Sequence, residues 1–444
     1  MSQVLELVRR DPVLAAATVL AVASCALVPP DAGYLAYVDV RTLGLLFCLM
    51  ATMAGLSRAG VFQAAGRALV ARLRSGTSVV MGLVLLPFLA SMLVTNDVSL
   101  IAFVPFALLV LRMLGIADAS VFTVVMMTVA ANLGSMLTPI GNPQNLYLYS
   151  ASGMGVGEFV GLMLPYALLS AVLLVACVLA YGAHRRGLPV RRGDHDLPAA
   201  DGLEPGRVRG RAVAPWAALF LLSLLAVARA LPVPALLAIV VAVALVTDRG
   251  ALLEVDYGLL LTFVAFFVFV GNVGRVGAVD SLLSSLVSGN ELLASVAASQ
   301  VVSNVPAALL LSGFSSAWPA LIVGTNIGGL GTLIASMASL ISYKQVIAEG
   351  AGTAGAYLLR FTVVNVAFLA ALVGLAVTPL SSMRGSATSS ARGTRARSPS
   401  NAPGRQRRRS SGRRRGRPPA GVRRPPRRAR GPCRRALRGR PRRG

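Results

Sequence analysis

The chain returns twelve times to a predominantly apolar run, at Pro12–Val28, Val38–Leu56, Thr77–Leu93, Val98–Leu114, Val121–Leu137, Phe159–Tyr181, Val213–Leu231, Val233–Val246, Gly258–Val273, Leu282–Leu311, Pro319–Ile341 and Tyr357–Val377. A helix crossing the hydrocarbon core needs about 20 apolar residues. Only helices and closed barrels satisfy every backbone donor and acceptor there. The fold class expected is therefore an all-α polytopic membrane protein with about 10 to 12 transmembrane segments.

Charge has to be read by position. The formal net charge is +26 although 55% of residues are hydrophobic. From Met383 to Gly444 there are 23 Arg and no Asp, Glu or Lys, which leaves 20 basic and 17 acidic residues in the remainder. A nearly neutral apolar body thus carries a basic tail. That excludes a nucleic-acid-binding globule, a soluble enzyme and a disulfide scaffold for the first 380 residues, and no nucleic-acid partner is expected. Of the 43 basic residues 42 are Arg, with Lys344 the exception, as in a GC-rich coding sequence. In such DNA a shifted frame yields mainly Arg, Pro, Gly, Ala and Ser, the tail's own composition. Residues 381–444 are read as a frame-shifted extension or a disordered basic appendage.

The Arg distribution also sets sidedness. Arg9-Arg10, Arg67, Arg72, Arg74 and the seven Arg between His184 and Arg211 should face the cytoplasm, while loops 29–37 and 150–158, without Lys or Arg, should face out. The expected location is a bacterial-type inner membrane, crossed many times. The first run follows Arg9-Arg10, but its Ala21-Val22-Ala23 triplet lies inside the run, so it is read as a retained helix. Cys25, Cys48, Cys177 and Cys433 stand singly, and His184 and His195 lie in a polar loop, so no metal or redox spacing occurs.

The two halves echo one another. At an offset of 217, Val38-Asp39 aligns with Val255-Asp256, Leu43 with Leu260, Arg58 with Arg275 and Gly60 with Gly277. At an offset of 194, Asn132-Leu133-Gly134-Ser135 with Thr138, Ile140, Gly141 and Asn142 aligns with Asn326-Ile327-Gly328-Gly329 with Thr332, Ile334, Ala335 and Ser336. Between these, Thr95-Asn96 answers Ser303-Asn304. The organisation expected is an N-terminal helix (1–37), a first repeat (38–181), a basic linker (182–212), a second repeat (213–380) and the tail. Secondary transporters use such duplication to place a site at the repeat interface near the midplane.

Polar breaks inside apolar runs are the candidate site. Non-helical backbone at membrane depth is tolerated only where it lines a cavity or is buried in protein. Thr138-Pro139-Ile140-Gly141-Asn142-Pro143-Gln144-Asn145 cannot continue a helix, and Gly324-Thr325-Asn326-Ile327-Gly328-Gly329-Leu330-Gly331-Thr332 breaks its own run with glycine. Half-helix N-termini offer N–H groups to an anion, and unwound carbonyls can hold a cation. Two shorter breaks, Thr95-Asn96-Asp97 and Ser303-Asn304-Val305, read as tips of helical hairpins. Asp97 is the one carboxylate placed deep in the apolar body, since Glu291 after Gly289-Asn290 reads as a turn. Asp97 could bind Na⁺, carry a proton or cap the helix that follows.

With these four motifs in order, the chain resembles the ion transporter superfamily over residues 10–380, and within it the citrate-transporter-like permeases, related to divalent anion/sodium symporters and arsenite permeases. The resemblance implies two inverted repeats, each with a re-entrant hairpin and an unwound helix, an elevator-like movement, and a homodimer. It also implies substrate and ion contacts at the tips, Thr95, Asn96, Asp97, Ser303 and Asn304; the breaks, read from their own residues, add Asn132, Gly134, Thr138, Pro139, Gly141, Asn142, Asn145, Thr325, Asn326, Gly328, Gly331 and Thr332 as candidate substrate- and ion-binding positions. The dicarboxylate branch carries Ser-Asn-Thr at both tips. Here the third position is Asp97 or Val305, a departure that suits a cation site or proton coupling at the first tip.

The function expected is secondary active transport of a small anion, a carboxylate or inorganic oxyanion, coupled to Na⁺ or H⁺, with no cofactor beyond that ion. The alternative within the superfamily is a metalloid efflux permease or a Na⁺/H⁺ antiporter. A primary pump is disfavoured because no phosphate-binding Gly-x-x-x-x-Gly-Lys-[Ser/Thr] loop occurs. A membrane enzyme is disfavoured because the spans hold no His and no acid cluster gathers at one interface.

Overall fold

The computed structural model describes residues 12–70, 72–185, 188 and 210–378. Arg9-Arg10, most of the basic linker with His195, and the Arg-rich tail with Cys433 lie outside the described residues. In order, the α-helices are α1 (Pro12–Cys25), α2 (Tyr34–Tyr37), α3 (Val40–Arg58), α4 (Val61–Val70), α5 (Gly76–Ala90), α6 (Asn96–Met113), α7 (Ser120–Ser135), α8 (Pro143–Ser152) and α9 (Val156–His184). After the linker come α10 (Gly210–Val227), α11 (Val233–Thr247), α12 (Gly250–Leu253), α13 (Tyr257–Gly274), α14 (Gly277–Val287), α15 (Glu291–Val302), α16 (Asn304–Ser312), α17 (Trp318–Ile327), α18 (Met337–Ala348) and α19 (Ala354–Val377). The chain is an all-α polytopic membrane protein. Among the described residues six helices, α3, α6, α7 with its 3₁₀ lead-in, α9, α13 and α19, are long and apolar enough to cross a membrane.

Local chemistry sets where these helices start and stop. Asp39 and Asp256 cap α3 and α13, their carboxylates accepting from Thr42 N at 3.0 Å and Leu259 N at 2.9 Å. The two caps share one backbone conformation, φ −77° and ψ 84° against φ −76° and ψ 84°. Ser75 and Ser78 form a capping box on α5, and Pro143 opens α8 where its missing N–H costs nothing. The apolar run Leu282–Leu311 is not one helix: Gly289-Asn290 and Ser303 divide it among α14, α15 and α16. Glu291, expected in a turn, is the first residue of α15, where a carboxylate suits the positive end of the helix dipole.

Packing partners recur in the two halves. Helix α1 packs on α13 and α11 on α3; α2 meets α13 and α12 meets α3. Likewise α5 packs on α7 and α15 on α17, while α6 packs on α18 and α16 on α8. The ion pairs of Arg58 and Arg275 follow the same rule. Arg58 Nε donates to Asp248 at 2.6 Å and Arg58 Nη1 to Glu254 at 2.8 Å. Arg275 Nη2 donates to Asp31 at 2.8 Å and Arg275 Nη1 to the Tyr37 hydroxyl at 3.1 Å. The offset of 217 carries Asp31 onto Asp248 and Tyr37 onto Glu254, so each arginine reaches across to the other half.

These pairs lie at exposed ends, which limits their energy. A double-mutant cycle on Arg58→Ala and Asp248→Ala should give a coupling of about 0.2–1 kcal/mol that shrinks in high salt. Arg58 holds the Asp248 carboxyl below the usual carboxylate range. The contribution should therefore be complete at neutral pH and fade as pH falls through that lowered value. Unfolding followed at several salt concentrations and pH values checks both expectations. A coupling that ignores salt would place the pair in a drier environment than its exposure indicates.

Candidate functional site

The long breaks lie at the ends of α7 and α17, and amide side chains lock them to the opposite half. Asn142 Nδ2 donates to Asn326 Oδ1 at 3.2 Å, and Asn326 Nδ2 donates to Asn145 Oδ1 at 2.6 Å. On the other side Ser336 Oγ donates to Asn132 Oδ1 at 3.0 Å, and Asn132 Nδ2 reaches Ser339 Oγ at 3.4 Å. The offset of 194 maps Asn132, Asn142 and Asn145 onto Asn326, Ser336 and Ser339, so one bridge is built twice. All six residues are buried. Neutral amides and hydroxyls can cross-link here without the desolvation penalty that buried charges would carry.

Each break is also tied to its neighbouring hairpin. Thr138 Oγ1 donates to Met92 O, and Thr332 Oγ1 donates to Gln300 O at 3.1 Å. Unwound backbone leaves carbonyls without helical partners. In the first break Asn145 Nδ2 meets Ser135 O at 3.3 Å and Thr138 O at 3.2 Å. In the second, Gln300 Nε2 donates to Gly328 O at 2.8 Å and Leu330 O at 2.9 Å, while Gln300 Oε1 accepts from Thr332 N at 2.9 Å. Gln300 therefore does from α15 what Asn145 does from α8. It is a site-building residue that sequence reading does not find, because its positional counterpart is Met92.

Glycine lets the hairpins come this close. A Cβ on Gly134 would lie 2.0 Å from Phe88 O and 2.6 Å from Ser91 Oγ, and one on Gly328 would lie 2.7 Å from Ser299 Oγ. Gly331 has φ 104°, which L side chains rarely adopt. Pro139 and Gly141 are buried within the first break, between α7 and α8.

At the tips, Asn96 Nδ2 donates to Asn132 Oδ1 at 2.8 Å, joining the first tip to a break. Asn304 N donates to Ala335 O at 3.0 Å, joining the second. Ser303 holds φ 73° as a non-glycine residue, a conformation costing on the order of 1–3 kcal/mol. Thr95 is the N-cap of α6 without a side-chain capping bond. Asp97 follows in the first turn and does not cap, so of the three roles open to it capping is not the one realised: α6 begins two residues before Val98. Asp256, at the start of α13, is the charged neighbour of Asp97. Thr325 donates back to Leu321 O at 2.7 Å, within its own helix, and Thr332 is exposed.

Polar satisfaction is uneven. Asp97 Oδ1, Ser99 Oγ, Asn142 Oδ1 and Gln144 Nε2 are buried without a hydrogen-bond partner, all in the first half. Among the described residues the second tip and break hold no such atom. Nor do three His, Cys, Asp or Glu side chains gather anywhere among the described residues. A cation here would be held by Asp97 with amide, hydroxyl and carbonyl oxygens, donors suited to a hard ion.

Comparison with known proteins follows the same line. A family model described as citrate transporter matches residues 3–317. An uncharacterised transporter of Methanocaldococcus jannaschii is 32% identical over 307 residues, covering 68% of this chain and 80% of that protein. The inner membrane protein YbiR of Escherichia coli is 30% identical over 316 residues, covering 70% of this chain and 81% of that protein. The silicon efflux transporter LSI3 of Oryza sativa is 34% identical over 146 residues, covering 32% of this chain and 30% of its own length.

Proposed function

Because the chain belongs to the citrate transporter family, a family of multi-pass membrane transporters, we propose that it carries a small anion, a carboxylate or inorganic oxyanion, by secondary active transport coupled to Na⁺ or H⁺. The observation that carries this reading is the pair of cross-linked breaks, with unpartnered buried polar atoms beside the first of them. Helices α8 and α18 begin at the breaks, and neither has a side-chain cap, so the N–H groups of the first turns, beginning in α8 after Pro143, and the positive dipole ends are available to an anion. Unwound carbonyls and Asp97 supply oxygen for the coupling ion.

In this reading the hairpin α15–α16 is re-entrant, and α5–α6, whose second arm is long enough to cross, is its counterpart in the first half. Arms of 12 and 9 residues in the second are about 18 and 14 Å long, short of a hydrocarbon core of about 30 Å. The recurring packing partners fit inverted repeats. Hairpins and broken helices would travel together, elevator-fashion, against α3 and α13, and the family resemblance adds a homodimer.

A second reading, efflux of a metalloid with Asp97 as ion carrier, is favoured by the similarity to a silicon efflux transporter. Proteoliposome flux separates the two. Citrate, succinate, sulfate, arsenite and silicic acid are each tested with and without a Na⁺ gradient and a ΔpH. Gradient-driven uptake of one anion class is expected. Efflux of a neutral metalloid acid without anion uptake would select the second reading, and no flux under any gradient would remove both.

A further inference from the structure

Beside the packed first turns of α3 and α11 opens a groove of ≈ 1140 Å³. Its lining is apolar, including Leu43, Phe47, Leu237 and Val241, with two exceptions, Arg41 and Arg229. Both arginines belong to one end: Arg41 is in the first turn of α3, and Arg229 lies in the turn that leads into α11. From Val233 to Val241 the wall descends about 12 Å at 1.5 Å per residue. That is close to the hydrocarbon depth of a single leaflet, half of about 30 Å. The groove is thus cationic at its mouth and oily below.

The cations are placed rather than incidental. Arg41 is half-buried and makes no ion pair among the described residues. Arg229 sits at φ 65°, the left-handed position that ends α10 and that glycine normally fills. A glycine would serve the turn equally well, yet the chain puts a guanidinium there. Its side chain is steadied over the Tyr149 ring, 5.7 Å from the centroid, and Nη1 donates to Gly153 O at 3.4 Å. Guanidinium suits bidentate binding of phosphate oxygens.

We propose that this groove is a binding site for an anionic phospholipid, its phosphate held between Arg41 and Arg229 and an acyl chain lying along α3 and α11. Charge complementarity selects this occupant over a second copy of the chain. A two-fold contact centred on the groove would bring four arginines together, whereas a phosphodiester brings one negative charge and two free oxygens to the pair.

The test uses full-length protein in nanodiscs of phosphatidylcholine with or without phosphatidylglycerol of the same acyl chains. Native mass spectrometry should show about a thirtyfold preference for phosphatidylglycerol, the scale of two arginines acting on one anionic headgroup. Thermal stability should rise with that lipid. Arg41→Gln with Arg229→Gln should abolish the preference, and the corresponding lysine pair should restore part of it. Leu237→Trp, which fills the groove with both charges intact, should reduce retention of either lipid. If the double variant does not fold, Arg41→Gln alone must lower the preference. Equal retention of the two lipids by the wild type would overturn the proposal, as would a preference that survives the glutamine substitutions. So would an equal stabilisation by soluble glycerol phosphate, or a disulfide between copies of Leu237→Cys protein.

Discussion

Gly134→Val is expected to leave little or no folded protein. A Cβ at this position would sit 2.0 Å from a backbone carbonyl, Phe88 O, and no rotamer change can relieve that contact. Helices α5 and α7 would have to separate along a seam of buried residues that includes Val80, Leu83, Val84 and Val124. Overpacking and lost contact together should cost upward of about 3–5 kcal/mol. The alanine variant sharpens the point, since helix propensity alone would favour Ala over Gly by about 1 kcal/mol. Gly134→Ala should nevertheless destabilise. Gly157→Ala in α9, whose Cβ would meet nothing within 4 Å, should be neutral or slightly stabilising. Fluorescence-detected size exclusion after a temperature series compares all three; a Gly134→Val melting point within about 2 °C of wild type would remove the close-approach argument.

The second large effect is expected at Asp97. A buried carboxylate oxygen without a hydrogen-bond partner, with Asp256 as its charged neighbour, carries an uncompensated cost in the resting protein. Asp97→Asn keeps the shape and removes the charge, so the variant should be at least as stable as wild type. Flux should behave in the opposite way, falling about tenfold or more and losing its response to the coupling gradient, since ionisable groups at membrane depth are retained for function. That opposition distinguishes a coupling role from a structural one. Paired melting and proteoliposome measurements decide between them. An unstable variant with unchanged coupling would assign Asp97 to structure alone.

Which parts of the site can be read from the residues depends on how each does its work. The breaks are legible because prolines, glycines and amides are conspicuous in an apolar run and cannot continue a helix in lipid. Asn132, Asn142, Asn145 and Asn326 are therefore both singled out and found bridged. Ser336 and Ser339 escape, because a serine in a membrane helix usually back-bonds within its own turn, as Thr325 does. Gln300 escapes for a different reason. Satisfying carbonyls of an unwound segment can be done from any helix that passes close, and the halves assign that task to different elements. That the charge of Asp256 is felt at Asp97, 159 residues away in sequence, is a product of the tertiary fold.

The crossed ion pairs have a consequence in time. Arg58 is made 190 residues before its partner Asp248, and α1 likewise precedes α13, the helix it packs against. At about 5–20 residues per second, the first half waits roughly 10–40 s in the membrane before the surfaces that complete it emerge. During that interval its apolar faces and the Arg58 guanidinium have only lipid, water or the insertion machinery for company. The nascent first half is thus the stage of this protein's life most exposed to quality control, and a variant that is stable once finished can still be lost there.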